Sequence, residues 1–148
     1  MQNMINFFLV FNTSGKIRLT RFFSAINQKE TQEIINLVLQ RKQNHTRIVE
    51  YKGLKIIFKR YATLYFLCAV ESTDNELLTF EVIHRYVVCL NNYFGNVCEL
   101  DIIYNFEKAY RVLDELLVCG ELMETSQKSC LQYLLQAEQT ERESALYE

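Results

Sequence analysis

The sequence predicts an α/β fold in which a five-stranded antiparallel sheet carries helices on both faces. Runs of Phe, Ile, Leu and Val are separated by short turns that contain glycine, as in β-hairpins. One nearly unbroken apolar run, residues 62–70, predicts a central strand that is covered on both faces. Other segments carry apolar residues at helical spacing, and 148 residues leave room for one domain.

A predicted β-hairpin comes first. Residues 5–11 and 17–23 are β-like runs, and the N-T-S-G-K between them contains Gly15, which can adopt the positive φ of a tight turn. In the second run apolar and polar residues alternate. One face therefore points to the core, and the other, which includes Arg18, carries positive charge.

The next element is a predicted amphipathic helix over residues 28–42. Asn27 can cap its N-terminus, and Glu30 follows three residues later, as in a capping box. The apolar residues behind them recur at helical spacing: Ile34, Ile35, Val38 and Leu39.

Three further strands are predicted over residues 47–51, 54–60 and 62–70. Gly53 marks a tight turn between the first two, and the second alternates apolar with basic residues, as a half-buried strand does. The third needs cover on both faces, so helices must lie on both sides of the sheet.

The second half of the chain is predicted to be mainly helical. A helix over residues 75–93 carries a long apolar stripe and can end at Gly95. Asn105 can cap another helix over residues 106–118. The pattern of residues 99–104 fits a helix or a strand equally well.

A last helix is predicted after Thr125, which can cap it. We expect one domain over residues 1–148, in which the charged residues 138–148 form a frayed tail.

Charge is distributed unevenly along the chain. Residues 1–65 hold 11 Lys or Arg and 3 Glu, whereas residues 66–148 hold 5 basic and 15 acidic residues, for a net charge of −2. This pattern indicates internal ion pairs or a charged partner rather than a dedicated nucleic-acid binder. The basic and aromatic run from Lys55 to Tyr61 is compatible with RNA binding, but a solvated strand face looks the same. We expect no nucleic-acid partner.

Cysteine usage and hydropathy predict a soluble, cytosolic protein with reduced thiols. The 5 cysteines are an odd number and include no C-x-x-C pair. The N-terminal apolar run lacks the flanks of a secretory signal, and the longest other apolar run has about half the length of a membrane span.

The sequence contains no familiar catalytic or metal-binding motif. Phosphate-binding glycine loops, H-E-x-x-H and G-x-S-x-G are absent, and the two histidines, His45 and His84, lie far apart in the sequence. We expect no enzyme activity, no cofactor and no metal. An unrecognised Cys–His or carboxylate site remains an alternative, for which the acidic candidates are Glu99, Asp101, Asp114 and Glu115.

Five segments of the chain are distinctive. They are N-T-S-G-K-I-R-L from Asn12, K-I-I-F-K-R-Y-A-T-L-Y-F from Lys55, D-N-E-L-L-T-F-E-V-I-H-R-Y-V from Asp74, Y-F-G-N-V-C-E-L-D-I-I-Y-N-F-E-K-A-Y from Tyr93 and E-T-S-Q-K-S from Glu124. In this order they resemble segments of the small (sigma) subunit of the clathrin adaptor complexes. The resemblance runs from about Met4 to Ala137 and is strongest to the type-one branch of trans-Golgi and endosomal adaptors.

The resemblance implies a longin-like fold, an antiparallel five-stranded sheet flanked by helices, and an adaptor role without catalysis. The implied partners are a large adaptor subunit, within a heterotetramer of large, medium and small chains, and cargo tails with the acidic dileucine signal [DE]-x-x-x-L-[LI]. The link to the clathrin coat would be indirect, and membrane association would be peripheral, through the complex. The implied location is cytoplasmic, on trans-Golgi and endosomal coated vesicles, with plasma-membrane coated pits as the alternative.

The resemblance also implies which residues recognise the signal. Arg18 would hold its acidic residue, together with a basic residue of the large subunit. The hydrophobic pocket for the two leucines would involve Ala62, Leu64, Val87, Val97 and Ile102, with Asn96 beside it. Without the resemblance, these residue types would favour ordinary core or helix-contact positions.

Two other classes remain alternatives. Another longin-type trafficking module, such as a coatomer small subunit or the regulatory domain of a membrane-fusion protein, would share the fold. A fusion protein would also need a coiled-coil segment and an anchor. A small enzyme would show a concave pocket with perturbed titratable groups.

Overall fold

A five-stranded antiparallel sheet forms the centre of the molecule. The computed structural model describes residues 5–40, 47–71, 76–118 and 121–122. The strands are β1 (Ile5–Asn12), β2 (Ile17–Phe22), β3 (Ile48–Tyr51), β4 (Leu54–Tyr61) and β5 (Leu64–Glu71). They lie in the order β2-β1-β5-β4-β3, and every neighbouring pair is antiparallel. The predicted sheet and its five strands are confirmed.

Four helices and a small hairpin complete the described structure. They are α1 (Gln28–Gln40), α2 (Glu76–Phe94), α3 (Glu99–Tyr104), α4 (Phe106–Leu116), β6 (Leu117–Val118) and β7 (Glu121–Leu122). The segment that fitted either a helix or a strand is therefore a helix, α3. The predicted last helix after Thr125 and the predicted tail over residues 138–148 lie outside the described residues.

The central strand β5 starts later than predicted. The apolar run begins at Ala62, but Ala62 has φ +54° and lies in the turn between β4 and β5, so the strand starts at Leu64. The prediction was wrong here because an apolar residue type does not reveal a left-handed backbone, which non-glycine residues seldom adopt.

The end of α4 also differs from the prediction. The helix was expected to reach residue 118, but Leu117 has an extended backbone (φ −123°, ψ 113°) and ends α4 at Leu116. Leu117 and Val118 instead pair with β7. Local strand pairing thus replaces the last helical turn.

Two helix-start predictions have different outcomes. The Asn27 side chain accepts the backbone N–H of Glu30 at 2.7 Å, which confirms it as the cap of α1. Asn105 occupies the N-cap position of α4, but its side chain makes no cap hydrogen bond. Its backbone carbonyl instead accepts the N–H groups of Lys108 and Ala109, each at 3.1 Å.

The sheet is buried on both faces, as the apolar run of β5 predicted. One face packs against α1, and its members from the strands include Phe7, Leu9, Phe11, Leu67 and Ala69. The other face packs against α2 and α4, and its members include Phe8, Val10, Leu64, Phe66 and Cys68. Successive residues of β1 and β5 therefore enter opposite cores, because side chains alternate along a strand.

Tyr86 fastens α2 to α4 within the second core. Its ring packs edge-on against Phe8, with 5.4 Å between ring centroids, and its hydroxyl donates to the carbonyl of Ala109 at 2.8 Å. Complete burial raises the pKa of Tyr86 well above its ordinary value. The hydroxyl is therefore a permanent donor that fixes the distance between the two helices.

Candidate functional site

Leu64, Val87, Val97 and Ile102, the apolar residues that the resemblance assigns to a pocket and that are buried, all belong to the α2-side core. Leu64 begins β5, Val87 lies midway along α2, Val97 precedes α3, and Ile102 lies on α3. None of the four is more than 2% exposed. We call these four residues the pocket cluster. A ligand side chain can enter it only where they separate.

Ala62 and Asn96 are placed differently, because both are exposed at the surface. Ala62 lies in the turn just before Leu64, and Arg60 donates through Nε to its carbonyl at 3.1 Å. Asn96 lies between Gly95, whose φ of +79° ends α2 as predicted, and Val97. Each is thus a sequence neighbour of the pocket cluster at its solvent side.

A hydrogen-bonded link that the sequence did not predict supports the cluster. The side-chain amide of Asn91 on α2 donates to the hydroxyl of Tyr61 on β4 at 2.9 Å. Its carbonyl oxygen accepts the backbone N–H of Val97 at 2.9 Å. One amide therefore joins the sheet, α2 and the start of α3. The available signal was an Asn four residues after Val87, on the inner face of an apolar helix.

Arg18 projects from β2 toward α3 and binds a carboxylate of the same chain. Its Nε lies 2.7 Å from Oε1 of Glu99, and the side-chain amide of Asn12 donates to the same oxygen at 2.8 Å. The Arg18 and Glu99 side chains are 20% and 25% exposed. The hydrogen bonds from Asn12 and Arg18 hold the pKa of Glu99 below its ordinary value.

The ion pair between Arg18 and Glu99 has two consequences for the site. Glu99 belongs to α3, which also carries Ile102, so the pair holds the helix of the pocket cluster against β2. The guanidinium uses Nε for the bond, and within residues 5–40, 47–71 and 76–118 it makes no other hydrogen bond. Its two terminal NH2 groups therefore remain for a second carboxylate.

Three of the four acidic residues considered for an acid–base site make structural contacts. Asp101 accepts the backbone N–H of Cys98 at 3.0 Å, at the start of α3. Asp114 binds Arg21 through two hydrogen bonds of 2.8 Å, which raise the pKa of Arg21. Glu99 holds α3 as described above. These contacts give each of the three carboxylates a role in packing.

The cysteines and histidines form no visible reactive centre in the described part of the chain. Burial raises the pKa of the Cys68 thiol, which disfavours the nucleophilic thiolate. Among the described residues, no group of three or more His, Cys, Asp or Glu could hold a metal ion. His84 lies on α2, whereas His45 falls outside the described residues.

No helix in the described part is long and apolar enough to span a bilayer.

A second surface feature lies beside β3 on the α2 side of the sheet. It is a cleft of about 650 Å³, which we call the β3 cleft. It is lined by Arg47, Ile48, Lys59, Leu77, Phe80, Glu81 and His84.

Comparison with known proteins gives a consistent family. Residues 4–141 match the family described as "Clathrin adaptor complex small chain". AP-1 complex subunit sigma-3 of Mus musculus is 52% identical over 132 residues, which is 86% of each chain. AP-1 complex subunit sigma-1 of Schizosaccharomyces pombe is 51% identical over 135 residues, 88% of this chain and 83% of the relative. AP-1 complex subunit sigma-1A of Homo sapiens is 49% identical over 144 residues, 95% and 91% of the two chains.

The fold has a counterpart in the structure of another adaptor assembly. A chain in a homology model of the full-length AP-3 complex in a stretched open conformation aligns with a TM-score of 0.71 and 24% sequence identity. The alignment covers 97% of this chain and 99% of the other. The longin-like fold is thereby confirmed. From the family match over most of its length, this chain belongs to the clathrin adaptor complex small chain family, whose members are adaptor subunits without enzymatic activity.

Proposed function

We propose that this chain is the sigma subunit of an AP-1-type complex and that, with a large adaptor subunit, it binds acidic dileucine signals. The observation that carries the proposal is that Leu64, Val87, Val97 and Ile102 are all buried in the same apolar core, on the α2 side of the sheet. Arg18 is bonded to the same helix, α3, that contributes Ile102. An apolar receptor and a cation thus share one supporting element, as a signal with two leucines and an upstream carboxylate requires.

The expected affinity follows from the chemistry of this receptor. Burial of two leucine side chains contributes roughly 3–6 kcal/mol before other terms are counted. An exposed contact between Arg18 and a carboxylate adds about 0–1 kcal/mol. Ordering a flexible tail opposes both, so the affinity should be on the order of micromolar. Weak single contacts suit a coat, in which many of them act together and cargo must later be released.

Binding requires a local rearrangement of the site. Because the pocket cluster is at most 2% exposed, its side chains must separate before two leucines can enter. Ala62 and Asn96 lie at the solvent side and mark where the opening would form. Arg18 can keep Glu99 on Nε and offer its terminal NH2 groups to the signal, so its internal bond need not break first.

The proposed cellular assignment rests on the AP-1 sigma relatives. It comprises a heterotetramer of large, medium and small chains, an indirect link to clathrin, and peripheral attachment to trans-Golgi and endosomal coated vesicles. Affinity capture of the tagged chain from cytosol, followed by mass spectrometry, tests it. Recovery of an AP-1-type large chain supports the assignment, whereas recovery of another complex's large chain contradicts it.

The binding site is tested with two substitutions in the chain paired with its large subunit. Val87→Asp places a charge in the pocket cluster, and Ala62→Glu places one at its solvent side without disturbing the core. Both should reduce binding of a dileucine peptide at least about tenfold, measured by calorimetry, because an apolar side chain would meet an unpaired carboxylate. Recovery of the heterodimer reports correct folding. Normal binding by both variants would contradict the site.

The role of Arg18 is tested separately, with two peptides that differ only at the upstream acidic position. Arg18→Ser should weaken the peptide with Glu about two- to fivefold and leave the peptide with Gln unchanged. An equal loss for both peptides would show that Arg18 does not read that residue.

A further inference from the structure

The β3 cleft combines an apolar floor with a basic rim. Ile48 and Phe80 are half-buried against the α2-side core, and Leu77 at the start of α2 is 78% exposed. Arg47 and Lys59 stand at the strand side of the same cleft. An exposed apolar surface with polar and charged residues at its border is typical of a binding surface.

The charges of the cleft are not balanced internally. Glu81, its acidic member, is bound to Arg85 at 2.6 Å. Arg47 and Lys59 have no ion-pair partner within the described ranges of the chain. The free charge of the cleft is therefore positive, and a ligand of complementary chemistry contains both acidic and apolar side chains.

The cleft and the pocket cluster lie along one face of α2. Phe80, His84 and Val87 follow one another at spacings of four and three residues, which places them on the same side of a helix. From Phe80 to Val87 the helix rises about 10 Å. An extended peptide covers this distance with about three residues.

The order of the strands also supports a continuous path from Arg18 through the pocket cluster to the β3 cleft. Arg18 lies on β2, Leu64 of the pocket cluster on β5, and Arg47 beside β3, so that each step crosses two strand intervals, roughly 10 Å. In an acidic dileucine signal, the first leucine lies four positions after the acidic residue, a span of up to about 13 Å. A tail that runs from Arg18 to the pocket cluster would therefore reach the β3 cleft about three to five residues after its leucine pair.

We propose that the β3 cleft binds the segment of a cargo tail that follows the leucine pair and favours acidic residues there. This inference rests on the proposed function, because the position of the leucine pair defines the register of the segment. It extends signal recognition across the whole width of the sheet, with a cation at each end and apolar contacts between them.

The test uses the full chain in complex with its large subunit and two synthetic peptides. Both carry the same acidic dileucine signal, and they differ in Glu or Gln at the third and fifth positions after the leucine pair. We expect the Glu peptide to bind about two- to tenfold more tightly at low salt and the difference to shrink at high salt. Lys59→Glu and, independently, Arg47→Glu should remove the difference and leave the Gln peptide unaffected. Lys29→Glu, on α1 at the opposite side of the sheet, is the matched control and should preserve the difference.

The outcomes separate the two proposals. Equal affinity for the two peptides, or a difference that survives both cleft variants, overturns the role of the β3 cleft and leaves the dileucine site intact. Failure of both peptides to bind the unmodified complex overturns the proposed function and this inference together. Unchanged affinity of each variant for the Gln peptide shows that the variants are folded.

Discussion

The two edge strands of the sheet, β2 and β3, differ in the side-chain contacts around them. At the β2 edge, side chains of α3 and α4 occupy the polar groups of the strand: Tyr110 accepts the backbone N–H of Thr20 at 3.1 Å, and Arg18 and Arg21 bind Glu99 and Asp114. At the β3 edge, a strand of 4 residues borders the β3 cleft, where Arg47 and Lys59 have no ion-pair partner among the described residues.

This difference shows how one small domain can be stable and still hold binding capacity. An edge strand with free N–H groups invites pairing with other chains, and Tyr110 occupies one such group at β2, the N–H of Thr20. The pair of Arg18 and Glu99 also holds α3, and with it Ile102, against β2. At the β3 edge, Arg47 and Lys59 have no ion-pair partner among the described residues, so their charges remain for a ligand.

The largest expected effect comes from removing the Tyr110 ring from the β2 edge. Tyr110→Ala should lower the free energy of unfolding by about 2–3 kcal/mol, because it deletes packing, the Thr20 bond and the contact of Arg21 with the ring. The Arg21 guanidinium lies 4.4 Å from the ring centroid. Tyr110→Phe keeps the ring and should cost about 1 kcal/mol. Urea unfolding of the two variants measures both values. A loss below about 0.5 kcal/mol for Tyr110→Ala would contradict a stabilising role of Tyr110 at the β2 edge.

A smaller effect is expected from the ion pair between Arg18 and Glu99. Because the pKa of Glu99 is lowered in the folded state, its contribution is full above the unfolded pKa, about 4.3, and is lost as pH falls through the folded pKa. Glu99→Gln should therefore cost about 1 kcal/mol at pH 7 and progressively less below about pH 5. Unfolding measured between about pH 7 and pH 3 tests this. Glu107→Gln, an exposed position on α4, is the control, and a cost for Glu99→Gln that stays constant with pH would contradict the assignment.

The smallest effect is expected at the β3 edge. Lys59→Gln and Arg47→Gln should each change the free energy of unfolding by less than about 0.5 kcal/mol, because neither side chain has an ion-pair partner in the described structure. Urea titrations of Arg21→Gln, carried out in parallel, give the corresponding value for the β2 edge. If Lys59→Gln or Arg47→Gln destabilises the protein more than Arg21→Gln does, the cleft cations contribute to the stability of the fold.

Features determined by neighbouring residues could be predicted from the sequence. The cap at Asn27, the turn at Gly15 and the double-sided burial of β5 each depend on a few adjacent residue types. The left-handed Ala62 and the extended Leu117 were missed, because tertiary contacts and strand pairing override the local preference of these residues.

The candidate site could be predicted only in part. Val87 and Ile102 look like any core residue, and only the resemblance to a family assigned them to a pocket. The bond between Arg18 and Glu99 joins residues 81 positions apart, so no local pattern reveals it. The sequence therefore offered Glu99 only as a candidate for an acid–base site, whereas the structure shows that it holds α3 against β2.

The place of β5 in the sheet has a consequence for how the protein folds. β5 lies between β1 and β4, and Phe8 on β1 pairs with Cys68, a partner about sixty residues later in the chain. The β1–β2 hairpin can form early, but β1 is apolar on both faces, and its second edge stays unpaired until β5 is made. Such distant pairing raises the contact order and slows folding. During synthesis, a nascent chain shorter than about seventy residues would thus be a natural client for a chaperone.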